Sequence, residues 1–347
     1  MERHDLDTPA LTIDLDVMAD NILCLQAYCD QHGLANRPHI KTHKIPAIAH
    51  QQLAAGAVGI ACQKLGEAEV MVAAGIRDVF IPYNILGPAK LARLVQLCRQ
   101  ATMSVACDST TTAQGLSEAM AAAGLTLPVL IEVESEHHRA GVTSAQAAVA
   151  LVREIDRLPG LAFSGLMIYP SSLQSAPFLG GIIDDLQHAG LPPQVVSGGG
   201  TPQAYRSHEV PGLTEIRVGT YVYNDWTVVR GGWCTPQQCA LRVLVTVVSA
   251  PTADRVLIDG GSKTFTNDGQ FPMGHIVEYP EAQVYKLNEE HGFVDVSGCP
   301  RRPKVGDRLT VIPNHACGTT NLHDVAYGLR GDRVEVTWKI EARGKVQ

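Results

Sequence analysis

Lys41 stands in the run Arg-Pro-His-Ile-Lys-Thr-His-Lys at 37–44, with His39 and His43 two positions to either side. Its apolar flanks make a charged ammonium costly. A desolvated lysine, its pKa lowered from the free value of about 10.4, is the group that forms a Schiff base with a carbonyl compound. A lone lysine at a strand end more often reaches past it to solvent; the paired histidines tilt this one towards chemistry. Ser197, Gly198, Gly199, Gly200 and Thr201 follow one another, and three glycines in a row leave backbone amides free to converge on an anion. Gly219, Thr220 and Tyr221 make a second glycine-plus-hydroxyl turn. Tight turns use the same residues, so neither run is decisive alone. Arg139 and Tyr169 have ordinary readings as a surface ion-pair partner and a core aromatic. Their alternative is a shared site in which Arg139 donates to an oxyanion, with Tyr169 beside it.

A different signal lies at His315 and Cys317, in Ile-Pro-Asn-His-Ala-Cys-Gly at 312–318. On an extended chain, residues two apart project to the same side, so the two could hold one metal ion. Two ligands are too few for a closed structural zinc site, and suit a catalytic ion that keeps positions for water and substrate. From spacing alone, a buried thiol beside an ordinary histidine is the simpler reading. Cys62, Gln63, Asp225 and Trp233 are further candidates that nothing in the sequence raises above structural roles.

These residues act together only if a fold gathers them. The first two-thirds of the chain alternates β-rich runs, at 37–42, 58–63, 79–84, 104–108, 129–134, 163–169, 195–198 and 215–220, with Ala/Leu-rich segments of helical period. The helical segments end near Gly56, Gly75, Gly124, Gly160 and Gly190. The connection over 199–214 is too short for a full helix. Eight such strands predict an α/β fold with a parallel (β/α)8 TIM-type barrel. A strand at 11–15 and a helix at 16–33 must stand outside the count of eight. From about Cys234, runs at 243–249, 255–259, 282–287, 292–295, 308–311 and 333–340 are joined by short polar turns, with no good helix between them, predicting a C-terminal antiparallel β domain. The glycines at 231 and 232 and Pro236 mark a linker, giving domains at 1–230 and 231–347. In such barrels the chemistry sits at the C-terminal strand ends, with phosphate sites after strands seven and eight. Lys41, Arg139, Tyr169 and both glycine turns fall there, which points to a phosphorylated aldehyde cofactor, pyridoxal phosphate.

Composition excludes several classes. Of 347 residues, 45% are hydrophobic and 18% charged, enough to bury a large core. A net charge of -7 with no basic tract argues against nucleic acid or an anionic membrane as partner. No apolar run nears the roughly 20 residues that span a bilayer. The first seven residues are polar and charged, and nine cysteines are scattered without a CxxC pair, so a reduced, cytoplasmic setting is expected.

Thr-Pro-Ala-Leu at 8–11, the lysine run at 37–44, Arg-Ala-Gly at 139–141, Ser-Gly-Gly-Gly-Thr at 197–201 and Pro-Asn-His-Ala-Cys at 313–317 occur in this order. Over nearly the whole chain the sequence resembles the family of D-threonine aldolases and D-serine dehydratase-like enzymes. These are pyridoxal-phosphate enzymes of the alanine racemase fold type (fold type III). The resemblance implies that Lys41 carries the cofactor as a Schiff base, that Arg139 contacts its phenolic oxygen and that Tyr169 meets its pyridine ring. Ser197, Gly198, Gly199, Gly219 and Thr220 would hold the phosphate, with Thr201 and Tyr221 beside them. His315 and Cys317 would bind a divalent ion (Mn, Zn, Mg or Co) that contacts the substrate's β-hydroxyl. A homodimer is expected, with the active site formed between domains.

The implied substrate is a β-hydroxy-D-amino acid. Removal of the β-hydroxyl proton leads to Cα–Cβ cleavage, giving glycine and an aldehyde; removal of the α-proton leads to loss of hydroxide and a keto acid. In the resemblance the His-x-Cys pair is typical of the dehydratase branch. The segments at 63–69 and 165–170 and the Ala-Arg-Gly near the C-terminus are similar to the aldolase-like group. Some relatives place a histidine shortly after the position of Tyr169, where this chain has none, leaving His43 or a metal-bound water to take the β-hydroxyl proton. The expectation leans to the aldolase, with the D-serine or D-3-hydroxyaspartate dehydratase as its alternative. An amino-acid racemase, which needs a second base opposite Lys41 and no metal, ranks lower.

Overall fold

The computed structural model describes residues 1–268 and 271–347, which form two compact units interleaved along the chain. One comprises Cys24–Lys41, Pro46–Gly219 and Lys345–Gln347; the other comprises Met1–Leu23, Thr42–Ile45 and Thr220–Gly344. A single boundary near 230 does not describe this arrangement. Residues 1–23 belong with the C-terminal strands because Ala10–Asp14 pairs antiparallel with Leu241–Ser249 and parallel with Val325–Arg330.

The first unit holds eight parallel strands: Ala35–Asn36, Ile60–Ala61, Asp78–Ile81, Thr102–Cys107, Leu127–Val133, Leu161–Ile168, Val195–Gly198 and Glu215–Ile216. From the second to the eighth each pairs with the next in sequence, and the first pairs with the eighth, Ala35 opposite Glu215. A bridge between His39 and Ala61, with the Ala61 amide donating to the Pro38 carbonyl at 2.9 Å, closes the ring between first and second strands. Phe80, Ala106, Leu130 and Met167 form one buried cluster with Val195 packed on it. Their neighbours Val79, Val105, Ile131 and Ile168 are fully buried as well, so these strands are covered on both faces. Helices between the strands begin on polar caps: the Ser109 hydroxyl accepts from the Thr112 amide and that of Ser144 from Ala147. Gly124 ends its helix at φ +66°, a left-handed conformation that glycine adopts without strain. The short connection after the seventh strand carries only a 3-10 helix, Ala204–Glu209.

A polar ladder threads the barrel interior. Asp78 accepts from Arg37 Nη1 at 2.5 Å, and Arg37 Nε donates to Glu215 at 2.8 Å. The Ser197 hydroxyl donates to the other Glu215 oxygen at 2.5 Å and accepts from Arg217 Nε at 2.8 Å. Arg217 Nη2 donates to the carbonyls of Ile168 and Ser197, at 3.0 and 3.2 Å. Its guanidinium lies over the Phe80 ring, 5.5 Å from the centroid. Burial lowers the Arg217 pKa to about 10, which leaves it charged at neutral pH. Taking such a charge out of water costs several kcal/mol, so its partners are obligatory.

The second unit holds a nine-stranded sheet. Its path runs through Gln283–Leu287, Gly292–Asp295, Arg255–Ile258, Leu241–Ser249, Ala10–Asp14, Val325–Arg330 and Arg333–Lys339; Arg308–Ile312 pairs with Leu241–Ser249 and His275–Ile276. All pairs are antiparallel except that between Ala10–Asp14 and Val325–Arg330, so the domain is mixed rather than purely antiparallel. Val325–Arg330 escapes sequence analysis because Gly328 interrupts its strand signal. A Cβ there would stand 2.6 Å from Val336 Cγ1 and 2.8 Å from Leu15 Cδ2. A helix at Ala316–Leu322 was also unexpected. Among the described residues, no helix is long and apolar enough to cross a membrane.

Arg217→Met removes one partner from a buried charge network and leaves Glu215 and Ser197 without the guanidinium. The expected loss is about 3–5 kcal/mol, read as a lower urea midpoint by far-ultraviolet circular dichroism.

Candidate active site

Each unit carries one cluster of chemically competent side chains. In the barrel unit it lies just past the C-terminal strand ends. Lys41 sits not in a strand but in a 3-10 turn, Ile40–Thr42, because pairing of the first strand stops at the His39 bridge. The Lys41 amide donates to His39 Nδ1 at 3.3 Å, while His39 Nε2 meets Gln63 Oε1 at 3.0 Å. An amide must donate, so Nδ1 is the acceptor and Nε2 carries the proton given to Gln63. Tyr169 follows the sixth strand directly. Its ring takes Lys41 Nζ at 5.6 Å from the centroid and the Arg139 guanidinium at 4.7 Å. The Ser135 hydroxyl donates to the Tyr169 carbonyl at 2.7 Å and fixes the backbone below the ring. Arg139 lies 3.6 Å from Glu132, whose pKa burial raises and Arg139 opposes.

The glycine turn fits beside this ring. A Cβ on Gly199 would lie 3.0 Å from Tyr169 Cδ2, and one on Gly198 would lie 2.5 Å from Ser171 Oγ. No backbone carbonyl among the described residues accepts from the amides of Gly199, Gly200, Thr201 or Gly219. Amine, aromatic face, guanidinium and glycine-turn amides are the donor set that pyridoxal phosphate requires, so these residues fit the cofactor. The Ser197 hydroxyl, expected on the phosphate, turns instead into the barrel between Glu215 and Arg217.

The second unit's cluster forms around His315 and Cys317. The extended-chain argument for this pair needs correction: His315 is the N-cap of the helix Ala316–Leu322, and Cys317 lies in its first turn. That helix contains Gly318, Thr319, Thr320 and Asn321, weak helix formers, so propensity gave no warning of it. Asp225 supplies what propensity lacks. One carboxylate oxygen accepts from the Ala316 amide at 3.0 Å; the other accepts from Val228 at 3.0 Å and caps Trp226–Arg230. Burial raises the Asp225 pKa against those bonds. The Cys317 sulfur lies 3.1 Å from the Thr42 hydroxyl and 3.7 Å from that of Thr220, so Thr220 faces the thiol rather than a phosphate. Tyr221 is buried nearby along the chain, in the 3-10 turn Thr220–Val222. The hydrogen bond of His315 with Cys317, and then the Asp268 carboxylate, raise the His315 pKa to about 10 against the effect of burial.

His43, expected as a proton acceptor, also belongs to this unit. It is fully buried, and its Nδ1 accepts from the Ile45 amide at 3.1 Å. In the neutral ring this places the proton on Nε2. Sequence analysis gave no role to Thr42, Arg217, Glu215 or Asp268. Sequence analysis gives Asp225 a structural role, and its two amide bonds give that reading content. The one available signal was the placement of Arg217 and Glu215 in the eighth strand, where buried charge demands a reason.

The chain matches the family described as "Alanine racemase, N-terminal domain" over residues 13–225 and that described as "Putative serine dehydratase domain" over 240–329. It is 38% identical to the D-threonine aldolase of Arthrobacter sp, with 98% of this chain and 93% of that one covered. The solved D-threonine aldolase from Filomicrobium marinum superposes with a TM-score of 0.92 at 32% identity, covering 99% of this chain and 97% of that one. D-threo-3-hydroxyaspartate dehydratase from Delftia sp. HT23 superposes at 0.88 with 30% identity, over 97% of this chain and 98% of that one. A cysteine-to-alanine variant of a D-threo-3-hydroxyaspartate dehydratase is solved in the metal-free form.

Asp225→Ala strands the Ala316 amide and uncaps Trp226–Arg230. A loss of about 1–3 kcal/mol is expected for the unsatisfied buried group, measured by urea denaturation of the full chain.

Proposed function

The chain belongs to the D-threonine aldolase and D-serine dehydratase-like family of pyridoxal-phosphate lyases, and we propose that it cleaves β-hydroxy-D-amino acids to glycine and an aldehyde. The full-length likeness to D-threonine aldolases carries this reading. The gathering of Lys41, Arg139 and Tyr169 on one aromatic face supports it.

When bound, pyridoxal phosphate supplies the conjugated ring that accepts the electron pair of a bond broken at the substrate's Cα. The Lys41 amine would hold it covalently. The Tyr169 ring, held by Ser135 and admitted by Gly199, offers the cofactor ring a flat wall. The amides of Gly199, Gly200, Thr201 and Gly219 would receive the phosphate oxygens. Arg139, 52% exposed, is free to swing from Glu132 towards an oxyanion.

His315 and Cys317 would hold a divalent ion, whose chemistry would be to lower the pKa of the β-hydroxyl. Thr42 and Thr220 place two hydroxyls beside the sulfur, at 3.1 and 3.7 Å, and the thiolate is the form of cysteine that binds metal. His43, a donor at Nε2, would orient an acceptor rather than take a proton.

A cysteine as second metal residue favours a second reading, dehydration of D-3-hydroxyaspartate or D-serine, since the metal-free dehydratase structure is a cysteine-to-alanine variant.

Purified protein with pyridoxal phosphate, manganese and D-threonine should yield glycine and acetaldehyde by mass spectrometry, and lose that activity in EDTA. 2-Oxobutanoate and ammonia would instead establish the dehydratase. Lys41→Ala should abolish the cofactor's Schiff-base absorbance; an unchanged band would remove Lys41 from the assignment.

A further inference from the structure

We infer that Asp268 is a positioning residue for the metal pair, the member of a relay from Gly318 through Thr266 that aims His315. The inference rests on the proposed metal role of His315 and Cys317.

Asp268 Oδ2 is hydrogen-bonded to His315 Nδ1, and the Thr266 hydroxyl donates to Asp268 Oδ1. A carboxylate can only accept, so the imidazole must carry its proton on Nδ1. That leaves the Nε2 lone pair for a ligand. With one oxygen on His315 and the other on Thr266, the carboxylate is engaged on both sides. It therefore acts through the histidine rather than as a third ligand. Among the described residues, no group of three His, Cys, Asp or Glu side chains is disposed to hold a metal.

The relay is anchored to the helix that carries the pair. The Thr266 amide donates to the fully buried Thr319 hydroxyl at 3.4 Å. His323 Nε2 meets the Thr264 carbonyl at 3.0 Å. A Cβ at position 318 would stand 2.5 Å from Thr266 Oγ1 and 2.7 Å from its Cβ, so only glycine lets Thr266 come this close. The segment bearing Asp268 is thus fastened to Ala316–Leu322 at its N-cap, its middle and its end. An exposed ion pair alone would be worth little. A carboxylate on the far nitrogen of a metal-binding histidine is a different case. It fixes tautomer and ring direction and raises ligand basicity, and its loss typically costs about 10–100-fold in metal affinity.

The test uses the full-length, cofactor-loaded protein, stripped of metal by a chelator and titrated with cobalt(II). Equilibrium dialysis gives the affinity, and the visible ligand-field bands report the geometry at the ion. Wild type should bind cobalt; H315A should not. D268N should bind about 10–100-fold more weakly, with altered bands and an unchanged cofactor absorbance. T266V, which keeps the carboxylate but removes its second partner, should fall between, and it carries the test if D268N does not fold. Wild-type affinity and spectrum in D268N or, failing its folding, in T266V would overturn the inference alone. A wild-type chain that takes up no cobalt would overturn the metal reading and the inference with it.

Discussion

The barrel unit is organised around one buried charge. Arg217 is 4% exposed and cannot be left unpaired, so the chain must bring acceptors to it. Those acceptors are the Ile168 carbonyl, the Ser197 carbonyl and the Ser197 hydroxyl. Each lies at the end of a barrel strand, and each is followed by a residue of the candidate site. After Ile168 comes Tyr169; after Ser197 come Gly198, Gly199 and Gly200; two residues past Arg217 comes Gly219. A guanidinium fork of fixed geometry therefore sets the relative positions of the aromatic wall and the glycine turn. The ladder continues through Glu215 and Arg37 to Asp78, tying the first, third, seventh and eighth strands together. In a ring of parallel strands held mainly by apolar packing, a directional network specifies register where packing alone does not.

The second unit solves a similar problem with a carboxylate. The helix carrying Cys317 is seven residues long and rich in poor helix formers, too short to be stable by itself. Asp225 donates no proton and accepts two amides, one from each of two short helices. One buried side chain thus starts both and sets where Ala316, between the two metal candidates, must lie. The thiol then finds two threonine hydroxyls and the imidazole finds Asp268, so both side chains are oriented by neighbours rather than by backbone geometry alone.

What could be read from the sequence follows from this division of labour. Hydrophobic runs and glycine stops located seven of the eight barrel strands, the second to the eighth, because parallel strands buried on both faces leave apolar signals. The first was set at 37–42 but lies at Ala35–Asn36, because the isolated bridge at His39 and the turn at Lys41 leave no periodic trace. The residues marked by type and spacing, Lys41, Arg139, Tyr169 and the glycine turn, do meet within one unit. Those found only by coordinates are Arg217, Glu215, Thr42 and Asp268, whose importance lies in partners that are distant in sequence. Ser197 and Thr220 were legible as hydroxyls next to glycines, but not the direction in which each hydroxyl points. That is set by Glu215 for one and by Cys317 for the other.

The paired histidines around Lys41 have a structural role that their spacing does not reveal. They suggested proton chemistry, yet both have Nδ1 committed to the amide two residues ahead: His39 to Lys41 and His43 to Ile45. A side chain accepting from the amide at i+2 is the device by which Asn and Asp stabilise turns. Here two imidazoles do the same in succession, on either side of the 3-10 turn Ile40–Thr42. They take the chain out of the strand at the lysine. Lys44, at φ +56°, completes the change of direction at some cost in strain. Each ring is left with a single Nε2–H, spent at His39 on Gln63. In each ring the Nδ1 lone pair is held by a backbone amide. The repeated histidine marks the lysine because it bends the backbone there.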